Sequence, residues 1–223
     1  MIVVLRGHIR DSFNNDQLYH LMRELHDGDP GLQIYISTYN IVQSSISWRQ
    51  IEQIDTPVDA AMIRRYFRDL TPLIQKIEIH DDSAISLVGR VEGPIGTNCG
   101  VPLIGWKNYW YCKYQIIAYL HSILKERTQP IFTLRFDLFL NSNRFDMCEI
   151  QEFIERRRSG VERIHFMRDH HFPGLDNIYV GTIDLLYQLT SHFHKNLDSI
   201  LERYPDIHHQ ECLVMHESLR CAV

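Results

Sequence analysis

What this sequence lacks narrows its chemistry before any motif is considered. Its five cysteines, Cys99, Cys112, Cys148, Cys212 and Cys221, are scattered through 223 residues and form no CxxC, so neither a zinc ribbon nor a disulfide framework is encoded. Reduced thiols of this kind suit a cytoplasmic protein, which is the expected location. The apolar run at the N-terminus, Ile2 to Leu5, closes at Arg6 and falls far short of the ~20 residues of a membrane span. Positive charge is not in excess either: 23 Lys and Arg stand against 28 Asp and Glu, a net charge of -5. That balance argues against nucleic acid and anionic membrane surfaces as partners. There is no HExxH, no internal repeat and no glycine-rich phosphate loop followed by a lysine near the first strand. A hydrophobic share of 44% over this length suits one soluble globular domain with a continuous core.

What is present alternates between two periods. Ile2-Val3-Val4-Leu5 is a short β-branched run of the kind buried on both faces of a sheet. Leu18, Leu21, Met22 and Leu25 follow at helical spacing, with Asn14, Asn15 and Asp16 as cap candidates and Gly28 and Pro30 as the stop. Gln33 to Ser37 reads as a second strand, Ile63, Tyr66, Phe67 and Leu70 as a second helix, and Leu73 to Ile79 as a third strand. A long helix is expected from about Lys107 to Lys125 and a fourth strand at Ile131 to Leu134. Val161 to Met167 and Ile178 to Val180 read as further strands, and Leu186 to Tyr204 as a long amphipathic helix. Gly89 to Gly105 holds five of the eleven glycines and reads as one long loop. Alternation of this kind specifies an α/β fold: a central mixed, mainly parallel sheet with helices on both faces. Ligands of such sheets bind outside the carboxyl ends of the strands.

Those strand ends carry the polar residues. Arg6, Gly7, His8 and Arg10 follow the first strand, where guanidinium forks and free N–H groups before a helix suit a diphosphate; two surface arginines pairing with acids such as Asp11 is the plainer reading. Thr38, Tyr39 and Asn40 follow the second strand, with Trp48 and Arg49 beyond. A ring to stack on a base and an amide to bond its edge would serve a nucleotide, although aromatics mainly supply burial. His80, Asp81 and Asp82 end the third strand. Arg135 and Asp137 end the fourth; two apart on extended chain, they point to the same side. They read equally as a ligand-facing pair, with the carboxylate on a divalent ion, or as a structural ion pair. The histidine pairs His170-His171 and His208-His209 are poor metal ligands because adjacent side chains seldom face one ion. Arg156-Arg157-Arg158 reads as a solvated helix end.

Five blocks then stand in a suggestive order: Arg6-Gly7-His8-Ile9-Arg10; Ile34 to Asn40 with Ser47-Trp48-Arg49; Gly105 to Tyr111; Arg135 to Leu138; and Asp176 to Gly181. In this order the chain resembles, over essentially its whole length, the small GT-A-type glycosyltransferases of large algal viruses, including the chlorovirus domains that build the capsid-protein glycan, and related domains of bacterial surface-polysaccharide clusters. The resemblance implies a GT-A fold spanning 1–223, with 1–140 as the nucleotide-sugar half and 141–223 as the acceptor half. It implies a hexosyl or deoxyhexosyl transferase with a UDP-sugar donor, a glycan or glycoprotein acceptor and a divalent metal, Mn2+ or Mg2+. By position, Arg6, Gly7, His8, Arg10, Thr38, Tyr39, Asn40, Trp48, Arg49, Asp81 and Lys107 would bind the donor. Asp137, Asp176 and Arg135 would be catalytic, and Asp137 would hold the metal. Asp137 takes the last position of an Asp-x-Asp motif, whose first aspartate is replaced by Arg135. For an inverting reaction Asp169, Asp176 and His171 are the candidate bases. Two other functions stand beside this one: a decayed GT-A domain that binds without turnover, suggested by the missing aspartate, and a nucleotidyltransferase.

Overall fold

The computed structural model describes residues 1–46, 51–81, 83–96, 99–140, 145–167, 176–206 and 210–221. Its centre is β1 (Ile2–Arg6), followed by α1 (Gln17–Gly28), β2 (Gln33–Tyr39), a short hairpin of β3 (Ile41–Gln43) and β4 (Ile54–Pro57), α2 (Ala60–Phe67) and β5 (Ile74–His80). A second hairpin, β6 (Pro94–Gly96) and β7 (Cys99–Pro102), leads into α3 (Leu103–Ile123), β8 (Ile131–Arg135) and α4 (Met147–Glu155). The chain ends through β9 (His165–Phe166), β10 (Ile178–Gly181), α5 (Ile183–Arg203) and α6 (Gln210–Cys221).

The main sheet has the order β5-β2-β1-β8-β10-β9. β5, β2, β1 and β8 are parallel, and β10 runs antiparallel to both β8 and β9. This is the expected mixed, mainly parallel α/β sheet. Its central strands β2, β1, β8 and β10 are buried on both faces, so their side chains sort alternately into two cores. Val3, Leu5, Ile34, Ile36, Phe132 and Leu134 face α1, α2 and α4. Ile2, Val4, Tyr35, Ile131 and Tyr179 face α3, α5 and α6.

Because β1 hands the chain to β2 on one side and pairs with β8 on the other, the order reverses between β1 and β8. A sheet opens a crevice at such a switch point, outside its carboxyl ends.

Helix α3 begins four residues earlier than its periodicity predicts. It lies between the sheet and α5 and is buried nearly all round, so even Lys107, Asn108 and Lys113 are inside. A helix covered on several sides has no polar face to mark its limits. Three further departures have local causes. The expected strand at Val161 to Met167 shrinks to His165–Phe166, because β10 offers it only Tyr179 and Val180 as register partners. The expected long loop at Gly89 to Gly105 contains β6, β7 and the start of α3, strands too short to show alternation. Helix α5 is kinked at Asn196, whose side-chain amide donates to the His192 carbonyl at 3.2 Å. Across the kink, buried Glu217 of α6 accepts from His192 Nε2 at 2.6 Å and Arg203 at 2.8 Å, which fixes α6 against α5.

Trp110 is fully buried and stacks on Phe193 with ring centroids 4.0 Å apart. Replacing Trp110 by Ala is expected to cost about 3–5 kcal/mol through lost burial and an unfilled cavity. Urea unfolding measures it, and a loss below about 1 kcal/mol would mean that the α3–α5 contact does not carry this core.

Candidate functional site

An open cleft lies at the switch point, the position at which such sheets take small molecules. One wall comes from the segment after β1: Gly7, His8 and Arg10. Another comes from the strand ends and the β3 hairpin: Tyr39, Arg135, Ser44 and Ile46. The entry to α3 adds Val101, Pro102, Gly105, Trp106, Asn108 and Tyr109, and Gln210 closes it from the start of α6.

The backbone after β1 is shaped for this. Gly7 has φ +94° and Arg10 φ +53°. The first is easy only for glycine; the second costs an arginine of order 1 kcal/mol and turns it toward the end of β8. The turn is held because Gly7 N–H donates to the Ser37 carbonyl at 3.1 Å and Thr38 Oγ1 donates to the Gly7 carbonyl at 2.9 Å. Gly105 permits a close approach at the other wall, where a Cβ would meet the Ile46 carbonyl oxygen at 3.1 Å.

Behind the cleft wall the charges are locked together. Arg135 grips Asp137 with two parallel bonds, Nε to Oδ1 and a terminal nitrogen to Oδ2, both 2.7 Å, and Arg10 donates to the same Oδ2 at 2.5 Å. Arg135 also reaches Asn177 Oδ1 at 3.2 Å. Deeper still, Arg6 donates to Tyr109 Oη at 2.9 Å and to the Asp176 carbonyl. The Tyr109 hydroxyl donates to the Asp176 carboxylate at 2.6 Å, and Lys113 Nζ lies 3.8 Å from it, over the rings of Tyr109 and Trp110. Burial alone would raise the Asp176 carboxyl, but Lys113, Arg6 and the Tyr109 hydroxyl hold it below its usual range. Burial, with Arg6 nearby, pushes the Lys113 ammonium well below its usual value. Burial also pushes the Tyr109 phenol well up.

His8 stacks on Tyr39, centroids 4.0 Å apart and planes within 12°. Burial, then Arg10, pulls the His8 imidazole down to about 3, so at neutral pH the stack is uncharged. Trp106 Nε1 is buried with no hydrogen-bond partner among the described residues.

The expected site residues therefore divide by depth. Gly7, His8, Arg10, Tyr39 and Arg135 line the cleft. Arg6, Thr38, Asp137 and Asp176 are buried behind it. Asn40 and Asp81 sit beside each other at the ends of β2 and β5 and are not among the lining residues; Asn40 N–H donates to the His80 carbonyl, and Asp81 accepts from Ser83. Lys107, expected to reach the donor, does not line the cleft: its ammonium binds Asp198 of α5 at 2.8 Å and the Val88 carbonyl, clasping the 83–93 segment onto the helix. A neighbouring position on a helix points about 100° away, so Lys107 faces α5 while Trp106, Asn108 and Tyr109 border the cleft.

Trp48, Arg49, Asp82, Asp169, the histidine pairs at 170–171 and 208–209 lie outside the described residues. Of the triple arginine, Arg156 pairs with Glu152 and Arg158 with Glu155, as a solvated helix end would. The sequence reading missed Tyr109, Trp106, Lys113 and Gln210. For the first three the signal was the polar and aromatic crowding of Gly105 to Lys113 in an otherwise apolar helix.

Among the described residues, the surroundings of Asp137 do not fit the expected divalent ion. Asp137 is enclosed by two guanidiniums, and among the described residues no group of three His, Cys, Asp or Glu side chains is placed to hold a metal. At an effective dielectric of 20, a dication about 5 Å from one guanidinium is repelled by roughly 7 kcal/mol.

The chain matches no protein-family model and no curated protein. One solved structure, of an active-site mutant of LgtC, aligns with 98% of this chain and 69% of that one, at TM-score 0.40 and 11% identity. What the cleft can bind follows from its own side chains. The class they define is an α/β protein with a cation-walled, aromatic cleft at its topological switch point.

Two predictions test these assignments. Lys107→Met is expected to lower stability by about 1–2 kcal/mol through loss of a charge-assisted pair, while leaving ligand affinity at the cleft unchanged by calorimetry. The His8 imidazole, low when folded and near 6.5 when unfolded, takes up a proton on unfolding, so stability falls as pH drops from about 6.5 toward 3. His8→Asn should show a shallower decline over that window in urea unfolding at stepped pH; equal slopes would contradict a buried neutral His8.

Proposed function

We propose that this protein is a glycosyltransferase of GT-A type, taking a nucleotide-sugar, a UDP-sugar by the resemblance, and moving its hexosyl or deoxyhexosyl group to a glycan acceptor. The observation that carries the reading is the pairing of two arginines with a stacked His8–Tyr39 platform in one cleft whose described lining contains no Asp or Glu. Guanidiniums recognise phosphate through paired charge-assisted bonds, and a flat uncharged stack suits a base. A nucleoside diphosphate offers both partners at the spacing of one small molecule.

In this reading the 1–140 half holds the donor: Arg10 and Arg135 face its diphosphate, and Tyr39 and His8 its base. When the bond from the anomeric carbon to the diphosphate oxygen breaks, its electron pair stays on that oxygen, and the two fixed guanidiniums oppose the charge that develops there. The acceptor hydroxyl forms the new bond and gives its proton to a base. Asp176 is a poor candidate for that base because Tyr109 and Lys113 occupy its carboxylate behind the wall; its part is to set Tyr109 and Arg6. The acceptor approaches from the 141–223 half, where Gln210 borders the cleft, and a capsid-protein glycan or a surface polysaccharide is the acceptor class that the resemblance offers.

The enclosed Asp176 also favours a second reading, a domain that binds nucleotide-sugar without turnover. A panel of nucleotide-sugars separates the two. A ligand at a hundred times its Kd is expected to raise the unfolding midpoint by about 5–10 °C, and Arg10→Gln should remove most of the rise. Release of nucleoside diphosphate on adding acceptor glycans supports transfer; binding without release supports the second reading; no shift with any nucleotide or nucleotide-sugar would sink both.

A further inference from the structure

Resting on the nucleotide-sugar reading, we infer that the diphosphate is neutralised by the Arg10–Asp137–Arg135 bridge itself, so that donor binding needs no divalent cation.

The geometry assigns the charges to different depths. Arg10 and Arg135 border the cleft, whereas Asp137, with a side chain 3% exposed, does not. A ligand entering from solvent meets two guanidiniums before it meets the carboxylate. Arg135 spends Nε and one terminal nitrogen on Asp137 and directs the other at Asn177 Oδ1; Arg10 gives one terminal nitrogen to Asp137. Each guanidinium has five N–H donors in a rigid fork. The carboxylate therefore acts as a bracket. It holds two cations side by side that would otherwise repel, and it fixes the planes of both forks before any anion arrives.

The local charge balance agrees. Among the described residues Arg6, Arg10 and Arg135 stand with Asp137 and Asp176, so three guanidiniums meet two carboxylates there. A metal-dependent site needs the opposite balance, several carboxylates whose excess negative charge draws in a dication. Here Arg135, two residues before Asp137, lays its guanidinium on that carboxylate, so the cations are built into the wall.

The test is calorimetric titration of the full chain with UDP, GDP, CDP and ADP, each in EDTA and in excess MnCl2 or MgCl2. At least one diphosphate is expected to bind in EDTA with a Kd within about threefold of its value with metal, a difference below 1 kcal/mol. Arg10→Gln should weaken that diphosphate by about tenfold or more and the matching nucleoside by less than about twofold, because a charge-assisted phosphate contact is lost and the base contact kept. Arg10→Lys, which keeps the charge but not the fork, should fall between the two, and it guards against misfolding of the glutamine variant. Binding that appears only with metal and vanishes in EDTA would overturn this inference while leaving the nucleotide-sugar reading in place. Failure of every nucleotide to bind, with or without metal, would overturn both.

Discussion

Arg6 is the group on which the site depends. It ends the central strand, its side chain is buried, and a buried charge left without partners is among the costliest defects a fold can carry. Its terminal nitrogens are met by the Tyr109 hydroxyl of α3 and the Asp176 carbonyl just before β10. Satisfying one guanidinium therefore ties the middle strand to the helix on one face and to the antiparallel strand beyond β8. Burial would lower its affinity for a proton, but the phenolic oxygens and Asp176 raise it, so Arg6 stays charged. Everything in the cleft wall is mounted on this tie: Gly7 turns directly from Arg6, and Tyr109 closes the other side.

The second layer repeats the device nearer to solvent. Arg10 and Arg135 share the Asp137 carboxylate, while at Asp176 Lys113 faces the carboxylate and Arg6 the main-chain carbonyl. In the inner layer Lys113, Arg6 and the Tyr109 hydroxyl hold the Asp176 carboxyl below its usual range, and in the outer layer two guanidiniums lie on one carboxylate. A site of this design is stiff, because each charged group is positioned by the others before a ligand arrives.

Much of the scaffold was legible. β1, α1, β2, α2, β5 and β8 are each a local pattern of period 2 or 3.6, and each formed within a few residues of where its spacing put it. The rule that ligands lie beyond the carboxyl ends then pointed at Arg6 to Arg10, Tyr39 and Arg135 without any contact being known. Lys107 and Tyr109 show the limit. They are two residues apart on a helix with no polar face, and nothing in their neighbourhood says which one turns to the cleft and which to Asp198. Asp137 shows it differently: an Arg two residues before an Asp on extended chain fits a ligand-facing pair and a structural pair alike, and here the arginine borders the cleft while it pairs with the carboxylate behind it.

Sequence by itself determined the class of fold and the chemical types gathered at the strand ends, because hydrophobic periodicity is local and is read by burial one element at a time. Only the tertiary structure decided which of those groups face the opening and which stand behind it. That choice is made by electrostatic partners far apart in the chain, Arg6 with Asp176 and Arg10 with Asp137. Their mutual distance does not exist until the sheet, α3 and the approach to β10 have closed around them.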